Sequence, residues 1–184
     1  GEISALSEGY SDITLGNNAQ KIRVYVKESI HEENSVKTLQ NYNVAFDDIG
    51  EGSYAISTAK YFVNGGAIKS NGFNKFELSS YMLSSDELNN LRFDFTLVNN
   101  GYSLKQVNNG YVSTSGSTNF QFSDSSYITF VPTAISGNNY GLKLVSGSRA
   151  LAYREGTTNL FKYYSSSNTS SEYDFTMYLK RFEY

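Results

Sequence analysis

The stretch NNGYSLKQVNNGYVST, residues 99–114, alternates apolar and polar positions on both sides of an Asn-Asn-Gly turn. A closely similar stretch, NNYGLKLVSGSRALAY, returns at residues 138–153. Period-two alternation around a Gly or Asn turn is the pattern of a β-hairpin, and its return at a spacing of about forty residues marks a repeat. Leu104-Lys105 recurs as Leu142-Lys143, and Asn119-Phe120 recurs as Asn159-Leu160. A more diverged copy precedes them, with Gly52 to Ile56 as its opening strand, NGGAIK (64–69) as its turn and Phe73 to Ser79 as its last strand. Three units of four strands predict an all-β fold, a β-trefoil-like barrel of about 12 short strands over residues 43–184. Its final strand, Tyr173 to Lys180, is expected to close against the first. An antiparallel β-sandwich whose hairpins merely look alike is the alternative.

Outward from that core, strands are expected near 44–49, 53–60, 61–69, 73–79, 92–98, 101–107, 110–115, 119–123, 127–132, 140–145, 149–154, 159–164 and 173–181. One helix is expected at SSDELNNL (84–91), where Ser84 with Glu87 three residues on forms a capping-box pattern. Residues 1–42 read as an N-terminal strand and loop extension, with a hairpin around Gly16-Asn17-Asn18.

Composition points the same way. In 184 residues there are 16 Tyr and 12 Phe but one Pro, and aromatic residues favour a pleated, half-buried surface. A formal charge of −3, with no run of Lys or Arg longer than two, leaves no electrostatic footprint for nucleic acid. No apolar stretch reaches the roughly 20 residues of a transmembrane helix. The absence of cysteine excludes disulfides, thiolate metal sites and cysteine nucleophiles. Gly1 reads as the remnant of tag removal before a trimmed start.

The stretches VAFDDIGEGSYAIS (44–57), FDFTLVNNGYSLKQVNNGYVSTS (93–115) and NLFKYYSSSNTSSEYDFTMYLK (159–180) resemble a module found, often C-terminally, in secreted and cell-surface proteins of gut Bacteroidetes. The resemblance covers about three quarters of the chain and rests on turn glycines and aromatic strand positions. It implies a β-rich, non-catalytic accessory module, exported and displayed at the bacterial surface, with a lipid anchor as one means of attachment.

Residues that could carry chemistry are few. His31, the only histidine, stands beside Glu32 and Glu33, and a zinc site needs three or four ligands that nothing else supplies. Ser57 and Lys60 match an S-x-x-K spacing, but on a strand the two are expected to face opposite ways. Asp47-Asp48 with Glu51, and Asp86-Glu87, are better read as turn and helix-cap residues than as a calcium loop or a glycosidase acid–base pair. No catalytic residue, metal or cofactor is expected, and the chain reads as a non-enzyme. What remains is a surface of Tyr rings beside Asn and Ser turns: Tyr102, Tyr111, Tyr140, Tyr153, Tyr163 and Tyr164 are the candidate ligand-binding residues. Flat rings beside neutral hydrogen-bonding groups suit a neutral glycan, with another surface protein as the alternative partner.

Overall fold

The structure is a computed structural model that describes residues 9–15, 20–26, 38–78, 82–116, 118–156 and 160–183. The chain divides into two compact units, Gly1–Ser35 and Val36–Tyr184. In the first, β1 (Gly9–Leu15) pairs antiparallel with β2 (Gln20–Val26), so strands flank the expected turn at Gly16-Asn17-Asn18. That turn and His31, Glu32 and Glu33 lie outside the described residues. The second unit begins before residue 43: Thr38–Leu39 already pairs with the last strand.

The second unit runs β3 (Thr38–Leu39), a 3₁₀ turn (Phe46–Asp48), β4 (Gly52–Ser57), β5 (Phe62–Lys69), β6 (Gly72–Phe76), α1 (Ser85–Leu91), β7 (Phe93–Val98) and β8 (Gly101–Gln106). It continues with β9 (Gly110–Ser115), β10 (Asn119–Ser123), β11 (Val131–Ile135), β12 (Asn138–Ser146), β13 (Arg149–Arg154), β14 (Leu160–Ser165), β15 (Tyr173–Asp174) and β16 (Tyr178–Glu183). All ladders are antiparallel. They order the sheet β10-β9-β8-β7-β4-β5-β6-β14-β13-β12-β11, with β15 on β13 and β16 on both β3 and β4. Two single bridges add to the ladders: Tyr102 with Phe130, and Leu142 with Met177.

The registers define three equivalent units. Ser57 stands opposite Phe62, Lys105 opposite Tyr111, and Val145 opposite Ala150. Counting from these pairs places Ile56, Leu104 and Leu144 in one buried set, and Val63, Val112 and Leu151 in a second. Phe93, Phe130 and Met177 form a third, each paired with the first strand of its own unit, at Tyr54, Tyr102 and Leu142. Phe73, Phe120 and Phe161 form a fourth where the three hairpins converge. There Phe161 pairs with Phe73, Phe120 N–H donates to the Asn71 carbonyl at 3.2 Å, and the Phe73 and Phe120 rings lie 5.2 Å apart. Burying these side chains is the main driving force for a chain with so few charges.

The expected repeat therefore exists in a different register. Leu104 corresponds to Leu144 rather than Leu142, a slip of two residues that keeps the same strand face, and Phe120 corresponds to Phe161 rather than Leu160. NGGAIK is not a turn but the bulged part of β5, and the turn is made by Ser70 and Asn71, both at positive φ. The strand expected at 44–49 is a 3₁₀ turn. Val44 N–H is held by the Leu179 carbonyl at 2.7 Å, and the chain then folds back through Asp48 N–H to the Ala45 carbonyl at 2.9 Å. The strand expected at 127–132 begins only at Val131. That expected at 173–181 is broken where Asp174 Oδ1 accepts the Thr176 N–H at 3.0 Å, an Asx turn.

The helix forms as its sequence specifies. Glu87 N–H donates to Ser84 Oγ at 3.2 Å, Ser84 N–H donates to Glu87 Oε2 at 2.8 Å, and the buried Leu91 packs with Ala55, Phe62 and Phe182. Ser84→Ala removes the reciprocal cap and is expected to cost about 1 kcal/mol, seen as a lower urea midpoint at unchanged slope.

Candidate functional site

The six tyrosines do not share one surface. Tyr153 is 3% exposed, its ring 5.1 Å from that of Tyr61 and 5.0 Å from that of Phe161. Burial, opposed by the nearby Lys75 ammonium, raises the pKa of its hydroxyl. Tyr163 is also buried, its ring against Phe120 and its hydroxyl donating to the Ser146 carbonyl at 2.6 Å. Tyr164 is half-buried edge-on to Tyr173 at 4.7 Å, Tyr102 leans on Phe95 at 5.9 Å, and Tyr111 on Tyr127 at 5.8 Å. Tyr153 and Tyr163 point to the face of the sheet that forms the main core, where an aromatic side chain contributes more buried apolar area than a polar one. Tyr164 and Tyr111, each next to a core residue on its strand, lie on the opposite face. Tyr153 and Tyr163 are thus core residues, a correction to the expected platform. Tyr140 is the exposed member, at 50%.

Tyr140 lies in a shallow depression of about 700 Å³ lined also by Tyr42, Asn43, Val44, Ala45, Asp48 and Arg181. Tyr42 is equally open, at 55%, with its hydroxyl 3.4 Å from Glu183 Oε1. Three parts of the chain meet here. The segment before the 3₁₀ turn is pinned along β16 by Gln40 N–H on the Arg181 carbonyl and Val44 N–H on the Leu179 carbonyl. Tyr140 comes from the start of β12, where Asn138 Oδ1 accepts the N–H groups of Tyr140 and Gly141 at 3.1 and 2.7 Å. Arg181 comes from β16. Its Nη2 donates to the Asp48 carbonyl at 3.1 Å and to the Tyr54 hydroxyl at 3.2 Å, while its guanidinium lies 5.5 Å from the Tyr54 ring. The Tyr54 hydroxyl bond, ahead of the opposing effect of burial, raises the Arg181 pKa. Tyr54 is itself fixed by donating to the Gly50 carbonyl at 2.9 Å.

Two exposed rings beside an amide, a carboxylate and a guanidinium give apolar faces for stacking and both donors and acceptors for hydroxyl groups. The site occurs in one repeat of the three. The registers match Tyr140 to Asn100 and Gly52, and Arg181 to Leu97 and Ala134, none of which supplies a ring or a cation. Sequence reading missed Tyr42 because it fell inside the presumed extension, although Asn41-Tyr42-Asn43 carries the same aromatic-plus-amide signal as the tyrosines chosen. Among the described residues no group of three or more His, Cys, Asp or Glu is placed to hold a metal ion, and no helix is long and apolar enough to cross a membrane.

No protein-family model and no curated protein matches this sequence. A solved structure described as a BEL β-trefoil in an apo crystal form is similar, with a TM-score of 0.51 and 15% sequence identity over 76% of this chain and 99% of that one. At that identity the likeness speaks for the fold alone, and with the repeated registers it identifies the architecture as a β-trefoil.

Proposed function

We propose that this chain is a non-catalytic recognition module, displayed outside a bacterial cell as its Bacteroidetes resemblance implies, that holds a neutral glycan between Tyr42 and Tyr140. The observation that carries the reading is the pairing of those two exposed rings over one depression furnished with Asn43, Asp48 and Arg181. Sugar rings present C–H faces to aromatic faces and hydroxyl groups to mixed donors and acceptors, and such a site needs no charge on its ligand. Catalysis is not part of the proposal, because a chain with one histidine and no cysteine has few groups for acid–base or nucleophilic work. We further infer that β4, β7, β8, β11, β12 and β16 close as the trefoil barrel. Supporting this, the Tyr102–Phe130 and Leu142–Met177 bridges link ladders that would otherwise leave an open sheet.

A glycan array read with the parent chain and with Tyr140→Ala and Tyr42→Ala tests the function. Binding to at least one uncharged glycan is expected, weakened about tenfold by either substitution, with one ligand per chain by calorimetry. The buried Tyr163→Phe should leave that binding unchanged. No retained glycan, or retention indifferent to both alanine variants, favours the alternative of a protein-contact module.

A further inference from the structure

A second depression, of about 650 Å³, adjoins the first: Asn43 lines both. Its wall includes Ser57, Thr58, Lys60, Tyr61, Glu77, Tyr178 and Lys180. The donor and acceptor balance of this wall is lopsided. Lys60 and Lys180 form no ion pair among the described residues, whereas the carboxylate that shares the wall, Glu77, is engaged by Lys75 at 3.0 Å. Lys180 is partly buried and rests on one neutral partner, the Asn41 carbonyl, at 2.6 Å. Burial lowers its pKa, as expected for a cation withdrawn from water without a counter-charge. An ammonium group has three donors, so two remain on Lys180. The Tyr178 hydroxyl accepts from Asn138 Nδ2 at 3.2 Å and keeps its own proton to donate.

The backbone around these donors is set in advance. Thr58 Oγ1 accepts the N–H groups of Lys60 and Tyr61 at 3.2 and 3.0 Å, and Thr58 N–H donates to the Tyr61 carbonyl at 2.9 Å. This tight turn brings Lys60 back to the same depression as Ser57, where an unbroken strand would have sent the two to opposite faces.

We propose that this second depression is an anion subsite, taking a sulfate ester or carboxylate carried by the same glycan chain whose uncharged sugars lie on Tyr42 and Tyr140. Lys60 and Lys180 are its charged donors and Tyr178 its neutral one. The inference rests on the glycan reading above and extends its ligand class from neutral chains to chains with an acidic substituent beyond Asn43. Charge-assisted hydrogen bonds to two ammonium groups supply the added affinity.

Affinity electrophoresis through gels containing dextran, dextran sulfate or carboxymethyl dextran separates the two anion sources on one sugar backbone. Retardation by at least one charged polymer, above that by dextran, is expected. Lys60→Gln and Lys180→Gln should each weaken it about tenfold, and Lys162→Gln, at a residue that lines neither depression, should not. Lys60 is exposed, so Lys60→Gln reads binding without the folding risk of the partly buried Lys180. Retardation that is equal in all three polymers, or that Lys162→Gln reduces as much as Lys60→Gln does, overturns the anion subsite. If the lysine variants lose charged-polymer binding while Tyr140→Ala changes nothing, the subsite stands and the aromatic platform falls. The reverse pattern removes the subsite and leaves the platform.

Discussion

Replacing Phe120 with alanine is expected to destabilise the second unit by about 3–5 kcal/mol, lowering its melting temperature by roughly 10 °C or more. Phe120 is 2% exposed, with ring neighbours Phe73 at 5.2 Å, Tyr163 at 5.5 Å and Phe130 at 6.5 Å. Truncation removes the transfer free energy of the ring and leaves a cavity at the junction of three hairpins, where rigid neighbours cannot collapse to fill it. Because Phe73 and Phe161 hold the equivalent positions, Phe73→Ala and Phe161→Ala should each cost a similar amount. Chemical unfolding of the three variants checks this. One position costing less than about 1.5 kcal/mol, the scale of a well-tolerated hydrophobic exchange, would show that the hairpins do not share a common junction.

The second large effect is expected at two glycines where strands approach too closely for a side chain. A Cβ on Gly101 would sit 2.5 Å from the Phe130 carbonyl oxygen, beside the reciprocal Tyr102–Phe130 hydrogen bonds of 2.8 Å. A Cβ on Gly72 would sit 2.5 Å from the Phe161 carbonyl oxygen, at the β6–β14 ladder. Both obstacles are backbone, so relief requires strands to part, and Gly101→Ala and Gly72→Ala should each cost about 3 kcal/mol. Gly147→Ala serves as the comparison. Its Cβ meets open space and only its φ of +61° is strained, for an expected cost of about 1 kcal/mol. Equal costs at Gly101 and Gly147 would deny the close bridge at Phe130 and with it the link between β8 and β11. Hydrogen exchange at the Tyr102 and Phe130 amides gives an independent reading, since both should lose protection in Gly101→Ala.

How much of this was legible in advance depends on the range of the interaction. The capping box at Ser84 and Glu87, the Asn-Asn-Gly turn between β8 and β9 and most of the period-two strands are set by residues within a few positions of one another and are legible in the sequence alone. The turn expected at NGGAIK and the strand expected at 44–49, by contrast, are not what forms there. The existence of a threefold repeat is legible too, because hairpins of one kind recur in one chain. The register between repeats is not local information, since alternation with a period of two is satisfied equally by a slip of two residues, and Leu142 and Leu144 match Leu104 equally well on that ground.

The binding surface was less legible. Alternation says that Tyr153 and its neighbours lie on different faces, yet which face becomes interior depends on how β13 and β14 lie against β6 and on what Tyr61 and Phe161 fill. Composition, local turn chemistry and hydrophobic period thus determined an all-β chain of three repeating units with one short capped helix. Only the tertiary structure decided which tyrosines meet solvent. It likewise brought Tyr42, Tyr140 and Arg181 to one depression and Lys60 and Lys180 to the next, because contacts across nearly the whole chain arise from the pairing of β16 with β3 and β4, and no local pattern encodes the partner of a strand.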